Sequence, residues 1–237
     1  GWAHFSNGEF PLSFGFFKNA LALEPRSAIV NLDVGAFLRS LGLYERAMTY
    51  LKRAAKLDPQ DSNPRVQISQ CLMYLGRFGE AADESEAIIS KDYANADLRY
   101  LHTLHLILAG RLDKAEKEIT AIRGLAPQYR YVPLMEALLA AARGEKDRAL
   151  ALRGESEVLT LQGTCFYLLL GMKDAAVANI EAGIARGFAE NGMYLYSYPS
   201  LVKNPCFKSL QGVPRFQGIL KTQKARYARE LKAIEDL

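Results

Sequence analysis

The stretch GLYERAMTYLKRAAKLDP, from Gly42 to Pro59, decides the architecture. It opens on a glycine, restarts on Tyr44, and carries Ala47, Met48, Leu51, Ala54 and Leu57 at three-to-four spacing before Asp58-Pro59 stops it. That spacing gathers the apolar side chains on one helical face, and proline ends the helix because it has no amide proton and clashes with the preceding turn. Upstream, Val34, Leu38 and Leu41 keep the same spacing, so an earlier helix runs into Gly42, whose permissive backbone lets the chain turn tightly back. The stretch and its surroundings therefore predict two antiparallel helices. Ala47 and Ala54 are small where those helices cross.

Working outward, the pattern recurs. Gly8, Gly42, Gly76, Gly110 and Gly144 stand 34 residues apart, and Ala47, Ala81, Ala115 and Ala149 keep that interval. Small side chains precede the glycines at Gly35, Ser69, Thr103 and Ala137, with Ser13 the small residue of the first unit. Pro25, Pro59 and Pro127 close three units, and Tyr93 takes that place in another. A fixed period of this length is the mark of a repeat architecture, in which each helix pair buries its apolar face only against the next.

A small residue, a turn glycine, an aromatic, an alanine and a closing proline together resemble the tetratricopeptide repeat (TPR) family. The resemblance covers residues 1–186 and implies an all-α fold, a right-handed superhelix of paired helices (an α-α solenoid) with a C-terminal capping helix. The expected units are a partial first one, then 28–61, 62–95, 96–129, a shortened 130–156 and a last at 157–186. Gly171 and Ala176 arrive seven residues early relative to Gly144 and Ala149, which predicts a clipped helix near Glu145 to Glu155. Trp2 to Phe5 reads as the end of a helix whose start is absent, so the chain is expected to be part of something longer. Residues 187–237 are expected to form an irregular, aromatic-anchored segment and then an amphipathic helix from Pro214 to about Ile234, with Phe216, Leu220, Tyr227, Leu231 and Ile234 on one stripe, capping the last unit. The segment from Tyr198-Pro199 through Asn204-Pro205 to Pro214-Arg215-Phe216 is similar to the ends of TPR regions attached to bacterial serine/threonine kinases, nucleotide cyclases and winged-helix regulators, although Asn204 and Val213 replace acidic residues and Gln211 a usual arginine. That resemblance implies a regulatory module in signalling.

Composition limits the functions open to the chain. With 49% hydrophobic residues it can bury a continuous core, and a net charge of +4 from 30 basic and 26 acidic residues is too balanced to imply nucleic acid. Cys71, Cys165 and Cys206 are scattered and odd in number, which suggests neither a disulfide framework nor a zinc site and fits a reducing, cytoplasmic compartment. No apolar run is long enough for a membrane helix. The terminal cations Lys221, Lys224, Arg226, Arg229 and Lys232 are interleaved with Glu230, Glu235 and Asp236 and are expected to form a solvated face rather than a nucleic-acid site.

No motif brings titratable groups together for catalysis, and a non-enzyme without metal or cofactor is expected. His102 and His105 stand three apart, a weak metal spacing, and are read as core residues. His102 and Glu136 hold equivalent positions in successive units and are expected to meet, since a buried carboxylate needs a partner. Function is instead expected on the first helices, whose groove-facing positions in the TPR family map onto Val66, Gln70, Tyr74, Tyr100, Leu104, Leu108, Tyr131, Leu134 and Leu138. The lysines, asparagines and arginine with which co-chaperone TPR domains grip a terminal carboxylate are missing: trying each register gives Leu32 and Ala36, Gln67, then Asp97 and Leu101. A peptide or amphipathic helix in an apolar groove is the expected partner, with self-association as a homodimer controlling an attached kinase or cyclase domain as the alternative.

Overall fold

A computed structural model describes residue 3 and residues 10–153, 160–186 and 196–233. Among these there are helices and turns and no strand. In order they are α1 (Phe10–Leu23), α2 (Ala28–Ser40), α3 (Tyr44–Leu57), α4 (Asn63–Tyr74), α5 (Phe78–Ile89), α6 (Ala96–Leu108), α7 (Leu112–Leu125), α8 (Val132–Ala142), α9 (Lys146–Arg153), α10 (Leu161–Leu169), α11 (Lys173–Ala185), α12 (Tyr198–Lys203), a 3-10 helix (Pro205–Leu210) and α13 (Pro214–Ala233). The expectations for Trp2, His4, Phe5, Gly8 and Ile234 fall outside the described residues.

The turns form as the glycine spacing requires. Gly42 has φ +80°, a left-handed conformation costly for a residue with a Cβ, and Gly76, Gly110, Gly144 and Gly171 share it. At the first of these turns Gly42 N–H donates to the Arg39 carbonyl and Leu43 N–H to the Leu38 carbonyl, both at 2.9 Å, so the last carbonyls of α2 are satisfied as the chain reverses. Gly35 answers for its size as well. A Cβ there would lie 2.6 Å from Leu51 Cγ on the antiparallel helix α3.

By contacts the chain divides into two compact units, residues 1–76 with 181–237, and residues 77–180. The first has a core of Val34, Phe37, Leu38, Leu41, Leu43, Tyr44, Ala47 and Leu51, all shielded from water. Phe17 packs on Phe37, and Tyr44 stacks on Tyr74 with ring centroids 5.2 Å apart. Cys71 is buried here, and burial pushes its thiol up to about 12, which makes it inert.

The tail of this unit departs from the expected irregular segment. Ser197 and Asn204, each followed closely by a proline, start two short helical turns as N-caps; the Asn204 side-chain oxygen accepts from Cys206 N–H at 3.0 Å. Its placement differs too. Besides the Arg215–Glu181 ion pair to α11, the tail runs along the turns of the early repeats: Ser197 lies on Gly42, and Asn204-Pro205 lies on Gly76. The Asn204 amide donates to the Met73 and Tyr74 carbonyls at the end of α4, at 3.1 and 3.3 Å, and Lys203 pairs with Glu45. Leu201, Phe207, Leu210 and Phe216 are fully buried, so the tail is part of this unit's core as well as a cover for it.

In the second unit α6 packs on α8 and α8 on α10, the first helices forming one layer, while α7 and α9 pack beside them. The core between them is built from Leu104, Leu106, Ala115, Ile119, Ile122, Met135, Leu138, Ala149 and Phe166. Helix α9 is described from Lys146 to Arg153, and the end of the clipped helix expected near Glu155 lies outside the described residues. Tyr93, standing where other units close on proline, anchors Arg99 instead. The buried guanidinium lies 3.8 Å over the Tyr93 ring, donates from Nε to the Tyr93 carbonyl at 2.8 Å, and pairs with Glu118.

Candidate functional site

The nine groove residues separate into two kinds. Tyr74, Leu104 and Leu138 are buried and serve the core, Tyr74 under Tyr44 and the two leucines inside the second unit. This corrects their assignment as groove contacts: an apolar side chain at these helix positions turns to the adjacent helices when they offer more cover than water does. Val66 and Gln70 on α4 are half-buried in the first unit, and Tyr100, Leu108, Tyr131 and Leu134 are half-buried in the second.

The second set has the more developed geometry. Tyr100 projects from the second turn of α6 and Tyr131 sits at the start of α8; because those first helices are neighbours, the two rings stack at 4.8 Å and 22°. Tyr129, in the turn before α8, meets both edge-on at 6.2 and 5.6 Å. Its hydroxyl donates to Asp97 Oδ1 at 2.6 Å, which ties the loop to the first turn of α6. The Arg130 guanidinium lies 4.6 Å over the Tyr131 ring and donates to its hydroxyl at 2.6 Å. Burial pushes the Tyr100 phenol up to about 12, with Tyr131 adding to the effect; burial and then the Asp97 hydrogen bond raise Tyr129 further. Tyr100 and Tyr129 are therefore neutral, and the three rings present apolar edges with the aliphatic Leu108 and Leu134 on the same two helices. Asp97 holds a groove-facing position of the family pattern, whereas Tyr129 and Arg130, which complete the polar rim, do not. The signal for them was the run Tyr129-Arg130-Tyr131, which places two rings and a cation just ahead of a helix.

Other polar features of this unit are closed upon themselves. A cavity of about 140 Å³ lined by Glu116, Thr120, Arg123, Glu136 and Arg143 has its charges paired as Arg123–Glu136 and Arg143–Glu116. Glu136 thus points to Arg123 and not to His102, which corrects the pairing expected from repeat equivalence. His102 Nδ1 instead lies 2.8 Å from the Ser85 hydroxyl, and His105 Nδ1 3.1 Å from it, all three side chains buried. Ser85 occupies the position held by Leu51 and Ile119 in neighbouring repeats, so a small polar residue makes room for two imidazoles. Burial holds His102 down at about 4 and His105 at about 3, so both are neutral. No group of three metal-ligating side chains occurs among the described residues.

Family models of the tetratricopeptide repeat match residues 1–62 and 38–104. Over residues 1–104 the chain is thus similar to the tetratricopeptide repeat family. The chain is also similar to the protein STIP1 homolog of Dictyostelium discoideum, 33% identical over 98 residues, which are 41% of this chain and 17% of that protein; the chain thus spans less than a fifth of that relative's length. Among solved structures, a TPR protein of Parabacteroides merdae aligns over 99% of this chain and 89% of its own with a TM-score of 0.60 and 16% identity. YrrB, described as a TPR protein with an unusual peptide-binding site, aligns over 76% of this chain and 87% of its own (TM-score 0.53, 15% identity). TTC0263 of Thermus thermophilus aligns over 70% and 94% (TM-score 0.51, 21% identity). At such identities these structures establish the TPR fold, an all-α solenoid. No described helix is long and apolar enough to cross a membrane.

Proposed function

We propose that this TPR chain is a protein–protein interaction module, not an enzyme, and that the first-helix face of its second unit holds an amphipathic helix or apolar peptide segment. The observation that carries this reading is the stacked Tyr100–Tyr131 pair, half-buried on the same helices as Leu108 and Leu134, with Tyr129 hydrogen-bonded to Asp97 at its rim. Tyrosines held in place by neighbours lose little entropy on binding and are the residue type that dominates interface energetics. The peptide-binding site named for YrrB supports the same class of partner. Val66 holds the position of Tyr100 in the first unit.

A random peptide library displayed against the chain tests this. Enriched sequences are expected to carry apolar anchors at helical spacing, and Tyr100→Ala combined with Tyr131→Ala should weaken their binding by about tenfold or more. Peptides that bind the double variant unchanged would place the site elsewhere. A second reading, a homodimer governing an attached signalling domain, is favoured by Leu12 and Phe16, one turn apart on α1 and both about half exposed. A chain that sediments as a monomer at every concentration removes it.

A further inference from the structure

We propose that the solvent face of α13 is a second docking surface, independent of the tyrosine site, whose occupant is an acidic helix of a protein partner. One side of α13 is committed to the first unit through Phe216 and Gln223, both buried, and the half-buried Leu220 and Tyr227. On the opposite side Lys221, Lys224, Arg229 and Lys232 are exposed and fall within about 140° of the helix circumference. None of these four cations has an ion-pair partner among the described residues. Elsewhere cations are commonly neutralised, as in Arg77–Glu80, Arg111–Asp83, Lys114–Glu86, Arg143–Glu116, Arg148–Glu145 and, on α13 itself, Arg215–Glu181. Glu230 lies on the far side of the helix, about 180° from Lys221.

The residues between the cations select the partner. Gly218, Ala225 and Ala228 are exposed in the same arc and leave a low surface on which a second helix can approach to about 8–10 Å between axes. The arc has no large apolar side chain to enter a bilayer, which disfavours an interfacial membrane role. It has no aromatic ring to stack on a base, and its exposed polar residues are bonded to the local backbone: Thr222 donates to the Gly218 carbonyl, and Gln217 to the Gln211 carbonyl. From Lys221 to Lys232 the cations span about 16 Å, or three helical turns. An acidic helix of that length, with carboxylates at three-to-four spacing, can meet all four.

The probe is a labelled helical peptide of about five turns with glutamates at three-to-four spacing, read by fluorescence anisotropy against the full chain. Its binding should weaken steeply with salt, and should fall about tenfold or more for the glutamine counterpart of the peptide and for the Lys221→Glu/Lys224→Glu/Arg229→Glu/Lys232→Glu chain. A lysine version of the peptide should bind that swapped chain in preference to the original. If the swapped chain loses its native circular dichroism, the four-fold glutamine variant takes its place, with the same expected loss. Glu235→Gln/Asp236→Asn in the original background should leave binding equal or tighter, since those residues can only compete. Unchanged binding by the four-fold variants, tighter binding to a random DNA duplex or to anionic phosphatidylserine vesicles than to the peptide, or no binding to the peptide at low salt would each overturn the proposal.

Discussion

Gly42 and Gly110 occupy equivalent turns with φ of +80° and +72°, yet what lies outside them differs. A Cβ on Gly42 would come within 2.2 Å of Ser197 Cβ, whereas one on Gly110 would meet nothing within 4 Å. Gly110→Ala should therefore cost only the left-handed backbone penalty, about 1–2 kcal/mol. Gly42→Ala should add the cost of overpacking, about 1–3 kcal/mol more, unless the tail lets go. Urea denaturation measures the first difference, and limited proteolysis after Arg186 reads the second; equal costs and an equally resistant tail would mean that Ser197 does not rest on Gly42. Asn204, on the next turn, explains its own departure from the acidic residue of similar motifs: its amide donates to two carbonyls, which a carboxylate cannot do.

At the scale of elements, the packing of α5 against α6 sets a pH dependence. Both histidines of α6 are neutral because burial holds them well below the ordinary value, and Lys114, Arg99 and Arg111 push His102 the same way while Glu86 opposes them. In the unfolded chain they take up protons near pH 6.5, so the stability they confer is present above that pH and is lost as pH falls toward about 4, at up to about 1.4 kcal/mol per pH unit for each residue. Urea midpoints at pH 7.5 and 5.0 should differ accordingly, and His102→Gln/His105→Gln should flatten the difference; the same slope in that variant would assign it to carboxylates. The helices themselves were legible because glycine, small residue and proline act locally and recur at a fixed interval. Partner choice was less so. Repeat equivalence placed His102 opposite Glu136, while the nearer polar group was Ser85, recognisable only as a polar residue where Leu51 and Ile119 mark a core position. Tyr74, Leu104 and Leu138 show the same limit, since helical periodicity puts an apolar side chain on a face without saying whether protein or ligand will cover it. The tail lay beyond local pattern altogether: Ser197 and Asn204 find Gly42 and Gly76 across more than a hundred residues of chain.

For the whole molecule, that long-range closure makes the stability of the first unit depend on residues far along the chain. Leu201, Phe207, Leu210 and Phe216 are fully buried with residues 1–76, and each such side chain contributes about 1.5–3 kcal/mol when removed from water. Their sum exceeds the roughly 2.7 kcal/mol that corresponds to a hundredfold change in a local opening equilibrium. Deleting residues 187–237 should therefore speed amide hydrogen exchange in α2, α3 and α4 by at least about a hundredfold, while amides of α6, α7 and α8 keep their protection. The contrast between the two sets carries the test. A uniform acceleration would mean that the units melt together and that the repeat stack transmits the loss; no acceleration in α2 to α4 would mean that the tail only rests on turns already stable without it. If the contrast holds, displacing the tail is a way to loosen the first unit without disturbing the tyrosine site of the second, because Tyr100, Tyr129 and Tyr131 draw their support from Asp97 and Arg130 and from the core beneath them.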